Sequence, residues 1–278
     1  MFTARTADAE IAYEDRGEGP ALLLVHGHPF DHTMWQPQTD RFSRTHRVIA
    51  PDLRGYGRTP LGARPETADA DTDTDRLTLL GDFAEDLVAL LDELDIDECV
   101  LAGLSMGGQI AMELYRRHPG RVRGLVLADT FPAAETEDGR AARNAMADRL
   151  LAGGAEAMRE YADEVLDRMV APYNTHAAPH VHRMMRSTDP AGAAAALRGR
   201  AERPDYRKLL TTVAVPALVV VGRDDSYTPV TDAEEMHALL PDSTLAVIER
   251  AAHLPNLERP EEFDAVLENY LRSLVRPN

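Results

Sequence analysis

Six short apolar runs punctuate the chain, at 21–25, 48–50, 99–102, 124–128, 215–221 and 244–248. Several are continuous rather than alternating, which is the pattern of strands covered on both faces. Between them lie stretches whose apolar residues recur at spacings of three and four. In 82–94, Phe83, Leu87, Leu90, Leu91 and Leu94 share one helical face. Similar patterns predict helices over 109–117, 233–240 and 260–275. Strands alternating with helices predict an α/β fold with a mostly parallel, doubly wound sheet.

Two segments break the alternation. Residues 60–76 form a low-complexity stretch with Asp69, Asp71, Asp73 and Asp75 at alternate positions, read as a solvated insertion. It lacks the glycine and distal glutamate of a calcium-binding loop. From 131 to 210 the strand pattern disappears. Alanine-rich helical stretches replace it, interrupted at Gly153-Gly154, Pro172, Pro179, Pro190 and Pro204. This divides the chain into a core, 1–130 with 211–278, and an inserted helical cap, 131–210, expected to cover a pocket.

Chemistry enters at Gly103-Leu104-Ser105-Met106-Gly107, directly after one predicted strand and at the start of a predicted helix. That context is what a G-x-S-x-G nucleophile elbow requires. The turn is sharp, so positions two residues either side of the serine must lack side chains. A serine hydroxyl needs a base to take its proton. Asp225, in Gly222-Arg223-Asp224-Asp225, and His253 each follow a late predicted strand. The order Ser, Asp, His is the one this fold uses, and the ends of parallel strands are where open sheets place ligands. His253 is therefore the candidate base and Asp225 the candidate acid that orients it, with Asp224 and Asp129 as rivals. After the first apolar run, Gly27 lets the backbone come close. The amides of His28 and Met106 are the candidate oxyanion hole. Phe30, Tyr227 and Leu254 are candidate pocket residues. His26 and Trp35 are expected to hold structure. His176, His180 and His182 do not have the spacing of a metal site, and Met146, Met158, Met169, Met184 and Met185 are expected to form the underside of the cap.

Net charge and cysteine content narrow the classes. A formal charge of −17 opposes nucleic acid, whose phosphates require a basic footprint, and gives no attraction to anionic membrane. Arginine carries almost all the positive charge, Lys208 being the single lysine. Cys99 is the only cysteine, so no internal disulfide forms. Residues 1–10 have no basic segment followed by an apolar one, and the expected location is cytoplasmic.

The motifs 26–29, 51–58 (Pro-Asp-Leu-Arg-Gly-Tyr-Gly-Arg), 103–108, 222–229 and 253–260 resemble, in order, those of the α/β-hydrolase superfamily. The Gly-Leu-Ser-Met-Gly-Gly elbow and the cap resemble the branch of 3-oxoadipate enol-lactonases, aryl esterases and cofactor-free haloperoxidases. That resemblance implies cleavage of a small, partly apolar ester or lactone through an acyl-enzyme, with no metal or organic cofactor. Carbon–carbon bond hydrolysis or perhydrolysis by the same residues is the alternative, and a ligand-binding receptor with negligible turnover is the reading from another class. Dehalogenases and epoxide hydrolases of the superfamily have aspartate where this chain has Ser105. Family members commonly have glycine where this chain has Ala252.

Overall fold

The computed structural model describes residues 1–5, 9–62 and 76–274. Most of the acidic stretch, including Asp69 to Asp75, lies outside the described residues. Eight strands form one sheet: β1 (Phe2–Arg5), β2 (Glu10–Arg16), β3 (Ala21–Val25), β4 (Arg47–Pro51), β5 (Cys99–Leu104), β6 (Val122–Ala128), β7 (Ala217–Gly222) and β8 (Ser243–Ile248). Their order across the sheet is β1-β2-β4-β3-β5-β6-β7-β8. From β4 to β8 every pairing is parallel; β1 with β2 and β2 with β4 are antiparallel.

The continuous apolar runs have a direct structural reason. Leu23, Val25, Leu101, Leu125, Leu127, Val219 and Val221 belong to a core cluster on one face. Their alternate neighbours Leu22, Leu24, Val100, Val126, Leu218 and Val220 belong to a cluster on the other. Successive side chains point to opposite faces, and here both faces are dry. On the first face lie α2 (Leu80–Glu93), α3 (Met106–Arg117) and α8 (Val230–Leu239), bringing Phe83, Leu87, Ile110, Leu114 and Met236. On the second lie α1 (Gln36–Phe42) and α10 (Pro260–Ser273), bringing Phe42, Phe263, Leu267 and Leu271. Trp35 is fully buried there with its ring 5.9 Å from that of Phe263, the packing role expected of it.

β1 and β2 were not apparent from the apolar pattern. Their sequences, Phe-Thr-Ala-Arg and Glu-Ile-Ala-Tyr-Glu-Asp-Arg, are mostly polar because β1 is an edge strand and both are only partly covered. Antiparallel pairing of β2 with β4, and of β1 with β2, makes them strands.

The site's position follows from topology. The chain runs from β3 to β4 on one side, then crosses through α2 to β5 on the other. Loops leaving the carboxyl ends of β3 and β5 therefore diverge, and the crevice between them is where open α/β sheets bind ligands.

Between β6 and β7 the described chain is helical: α4 (Glu137–Met169), α5 (Ala178–Ser187), α6 (Pro190–Ala201) and α7 (Arg207–Leu210). Gly154, at φ 57° and ψ −140°, divides α4 into two halves. Thr136 caps α4 by accepting the Gly139 amide at 3.0 Å, and Asp189 caps α6 by accepting that of Ala191 at 3.0 Å. Ala147, Leu150, Ala157 and Met158 of α4 pack on Ala193, Ala194 and Leu197 of α6, with Met146 partly buried against them. Met169, Met184 and Met185 instead join the second core cluster, so those methionines weld the insertion to the sheet layer.

α6 presses hard on the rest of the molecule. A Cβ on Gly199 would stand 1.6 Å from the carbonyl oxygen of Thr78, and one on Gly192 would stand 1.9 Å from that of Gly55. Both obstacles are backbone, so neither can rotate aside. Gly199→Ala is expected to destabilise the protein by about 2 kcal/mol through overpacking, read from urea unfolding; an unchanged midpoint would show that this helix is free to move.

Candidate active site

Ser105 sits between β5 and α3 with φ 57° and ψ −116°, a left-handed conformation that costs a non-glycine residue on the order of 1–3 kcal/mol. The surroundings enforce it. A Cβ at Gly103 would lie 2.1 Å from the Gly107 carbonyl oxygen, and one at Gly107 would lie 2.1 Å from that of Val25. The Ser105 amide donates to the Ala128 carbonyl at 2.9 Å, and the Ser105 carbonyl accepts the Thr130 hydroxyl at 2.8 Å. The backbone is held from β3, β6 and its own helix at once. Its hydroxyl has no hydrogen-bond partner among the described residues and keeps some exposed surface.

The loop after β3 closes on this turn. A Cβ at Gly27 would come within 3.2 Å of the Ser105 Cβ, so glycine permits the approach expected of it. His26 donates from Nδ1 to the Gly27 carbonyl at 2.9 Å and accepts the Leu53 amide at Nε2, also at 2.9 Å. It bridges the loops after β3 and β4, and burial lowers its pKa. No acceptor among the described residues takes the amide N–H of His28 or of Met106. The His28 imidazole meets the Tyr56 hydroxyl at 2.7 Å through Nδ1. Burial, with Arg200 next in strength, drives its pKa well down, so the ring is neutral.

On the other side, His253 Nδ1 lies 2.7 Å from Oδ2 of Asp225, both buried. Asp225 also accepts the Tyr227 amide at 2.8 Å, the Thr228 amide at 3.2 Å and the Thr228 hydroxyl. Burial pushes the Asp225 carboxyl up, but His253, Thr228 and the Tyr227 amide outweigh it and hold the carboxyl below its ordinary value. The carboxylate is fixed as an acceptor, so Nδ1 carries the proton and Nε2 presents a lone pair.

The two rival acids part company here. Asp224 is exposed and accepts the Tyr173 hydroxyl from the helical insertion. Asp129, at φ 43° after β6, lies in the buried group: its carboxyl, that of Asp225 and a ring nitrogen of His253 all fall within 4.8 Å of one another. One oxygen of Asp129 accepts the Gly222 amide at 2.8 Å. Burial first, and the Asp225 charge second, raise the Asp129 carboxyl well above its ordinary value, so it is the protonated member of the pair.

Of the candidate pocket residues, Phe30 and Leu254 are fully buried in the second core cluster. Tyr227 is partly open, its ring 5.3 Å from that of His253 and covered by the Arg168 guanidinium 3.8 Å from its centroid. His180 meets the Thr33 carbonyl at 3.1 Å and His182 pairs with Asp163 at 2.5 Å, so neither shares a cluster with His176. Burial pushes the Cys99 thiol up to about 12, leaving it a core residue.

Sequence reasoning passed over Glu258. Its Oε1 accepts the amides of Ala252 and Leu254, at 2.9 and 3.2 Å, on either side of His253. Its Oε2 accepts the Ala171 amide and the Asn174 side chain, both at 2.8 Å. One buried carboxylate thus ties the histidine loop to the insertion. Nothing in the local pattern marks a glutamate closing the short helix α9 (Pro255–Glu258) as such a tie.

A mostly parallel doubly wound sheet, with a glycine-framed serine turn at its switch point, defines the α/β-hydrolase class. The chain belongs to the Alpha/beta hydrolase family, matched over residues 22–266. It is 29% identical to 3-oxoadipate enol-lactonase 1 of Acinetobacter baylyi, over 92% of this chain and 90% of that protein. It is 30% identical to the pimeloyl-[acyl-carrier protein] methyl ester esterase of Aromatoleum aromaticum, over 91% and 98%. The structure of a thermophilic esterase from Thermogutta terrifontis, with malate bound, superimposes with a TM-score of 0.88 at 34% identity, over 98% of this chain and 97% of that one.

Two substitutions test these electrostatics. Glu258→Gln is expected to cost about 2–3 kcal/mol, because an amide nitrogen replaces one oxygen and meets donors; chemical unfolding measures it. For Asp129, the folded carboxyl holds a proton that the unfolded chain releases near 3.8. Stability contributed by this group therefore falls as pH rises from about 4 toward the raised folded value. Asp129→Asn removes that loss, so its melting temperature relative to wild type is expected to rise between pH 4 and pH 8. A pH-independent difference would mean that Asp129 is ionised in the fold.

Proposed function

We propose that this protein is a serine hydrolase that cleaves a carboxylic ester or lactone of a small, partly apolar substrate through an acyl-enzyme. The observation carrying this reading is the buried His253–Asp225 pair at 2.7 Å, with Nε2 of the imidazole left without a partner in a fold whose elbow holds a serine. The ester- and lactone-cleaving names of the relatives support the same bond type.

In this mechanism Nε2 of His253 takes the Ser105 proton as Oγ attacks the substrate carbonyl carbon. Asp225 keeps the productive tautomer and stabilises the imidazolium that forms. Negative charge collects on the carbonyl oxygen, which receives the amide N–H groups of His28 and Met106. Each such donor contributes on the order of 3 kcal/mol to the transition state. The imidazolium then protonates the leaving alkoxide. Water attacks the acyl-enzyme with His253 again as base, and Ser105 is regenerated as the acid departs. Neutral His28 adds no charge that would compete with the imidazolium. Every step uses side chains and amides of the chain itself. Among the described residues no helix is long and apolar enough to cross a membrane.

Ser105→Ala is expected to abolish turnover of short-chain esters and labelling by a fluorophosphonate probe, with its melting curve preserved. Asp225→Asn is expected to lower kcat by about 10³- to 10⁴-fold through the wrong tautomer. Full ester hydrolysis by either variant would overturn the assignment.

A further inference from the structure

The chain carries a formal charge of −17, yet three arginines, Arg143, Arg200 and Arg203, influence one another beside the candidate site. Glu135 answers two of them, pairing with Arg143 and, at 2.7 Å, with Arg203. Arg200 pairs with no carboxylate among the described residues. Among the described residues its only side-chain hydrogen bond runs from Nε to Oε1 of Gln109 at 3.1 Å. The residue is 7% exposed, and its two Nη groups, unlike the sealed Nη2 of Arg203, retain open surface.

A buried guanidinium without a counter-charge is costly, and such groups are paired or serve a ligand. Besides desolvation, the strongest influences on Arg200 are two further cations, Arg143 and Arg203, and two phenols, Tyr56 and Tyr161. Burial among them presses its pKa well down from the ordinary value, a penalty that an arriving anion would reverse. Its location is equally specific. Gln109 lies one turn into α3 from Ser105, donating its amide to the Ser105 carbonyl at 3.2 Å. Arg200 is the strongest charge acting on His28, which bonds Tyr56 and lies 6.1 Å from Tyr161 between ring centroids. The helix bearing Arg200 is pinned by Gly199 and Gly192 against backbone, so the guanidinium is held in place before any ligand arrives.

We propose that Arg200, positioned by Gln109, is a carboxylate-binding site beside Ser105, so that the substrate is an ester or lactone bearing a second, ionised carboxylate. This rests on the serine-hydrolase reading for the location of the scissile bond. Guanidinium and carboxylate match as planar, bidentate partners, and exclusion of water strengthens the pair. The same group disfavours neutral esters, because binding one would cover the cation without pairing it.

The test compares matched esters that differ only in charge. Monomethyl succinate, glutarate and adipate are set against methyl butyrate, valerate and hexanoate, and 4-carboxyphenyl acetate against 4-methylphenyl acetate. The first arm places the carboxylate on the acyl side, the second on the alcohol side. Wild type is expected to favour at least one charged member by about tenfold or more in kcat/KM. Arg200→Met is expected to reduce that ratio to within about twofold, and Arg200→Lys to restore part of it. Equal or reversed preference by wild type in every pair would overturn the proposal, whether or not the variants fold. So would a preference that survives in folded Arg200→Met. Calorimetric titration of Ser105→Ala with the three monomethyl esters and 4-carboxyphenyl acetate separates the two readings, since it needs no turnover. Saturable binding that Arg200→Met abolishes in the Ser105→Ala background supports the anion site even if no ester is cleaved, and no binding of any of these anions overturns it.

Discussion

The structure depends on a lack of room around one serine. Gly103, Gly107 and Gly27 occupy positions where a single methyl group would meet backbone, or the Ser105 Cβ itself, at or below van der Waals contact. Their absence of side chains lets β3, β5 and the start of α3 converge until Ser105 takes a left-handed conformation. The cost of that conformation is local, whereas the forces that hold it are distributed. Hydrogen bonds from β6 and Thr130 fix its two peptide groups, and two dry faces of sheet keep those strands in place.

Electrostatics divides the buried polar groups of the site by protonation state. Asp225 and Asp129 stand close together after neighbouring strands, and two adjacent buried carboxylates cannot both be readily ionised. Asp225 receives His253, Thr228 and the Tyr227 amide, and stays charged. Asp129 receives a single amide and holds its proton. Chemistry that looked like a choice between two acids becomes a division of labour between a charged and a neutral one. The imbalance around Arg200 is of the opposite sign and meets no carboxylate partner among the described residues, in a chain with a formal charge of −17.

The insertion is bonded to the core at specific points rather than laid loosely over it. Glu258 joins the His253 loop to Ala171 and Asn174, Tyr173 reaches Asp224, and α6 rests directly on the backbone at Gly55 and Thr78. Such contacts make the geometry around His253 sensitive to changes in helices that carry no recognisable motif.

The sequence by itself determined the class of fold, the runs that become strands from β3 onward, and the serine turn, because these depend on local periodicity and on glycines at fixed offsets. Ser105 stood out for that reason. His253 and Asp225 were legible through their order after late strands, although Asp224 and Asp129 remained equal in kind along the chain. Only the tertiary structure separated them, since burial and hydrogen-bond count are properties of neighbours far apart in sequence. The same reason hid β1 and β2, which are strands by pairing rather than by composition. It hid Glu258, whose four donors come from its own loop and from the distant helical insertion. It hid Arg200 as well: one arginine among many along the chain, it is distinguished by burial without a carboxylate partner among the described residues.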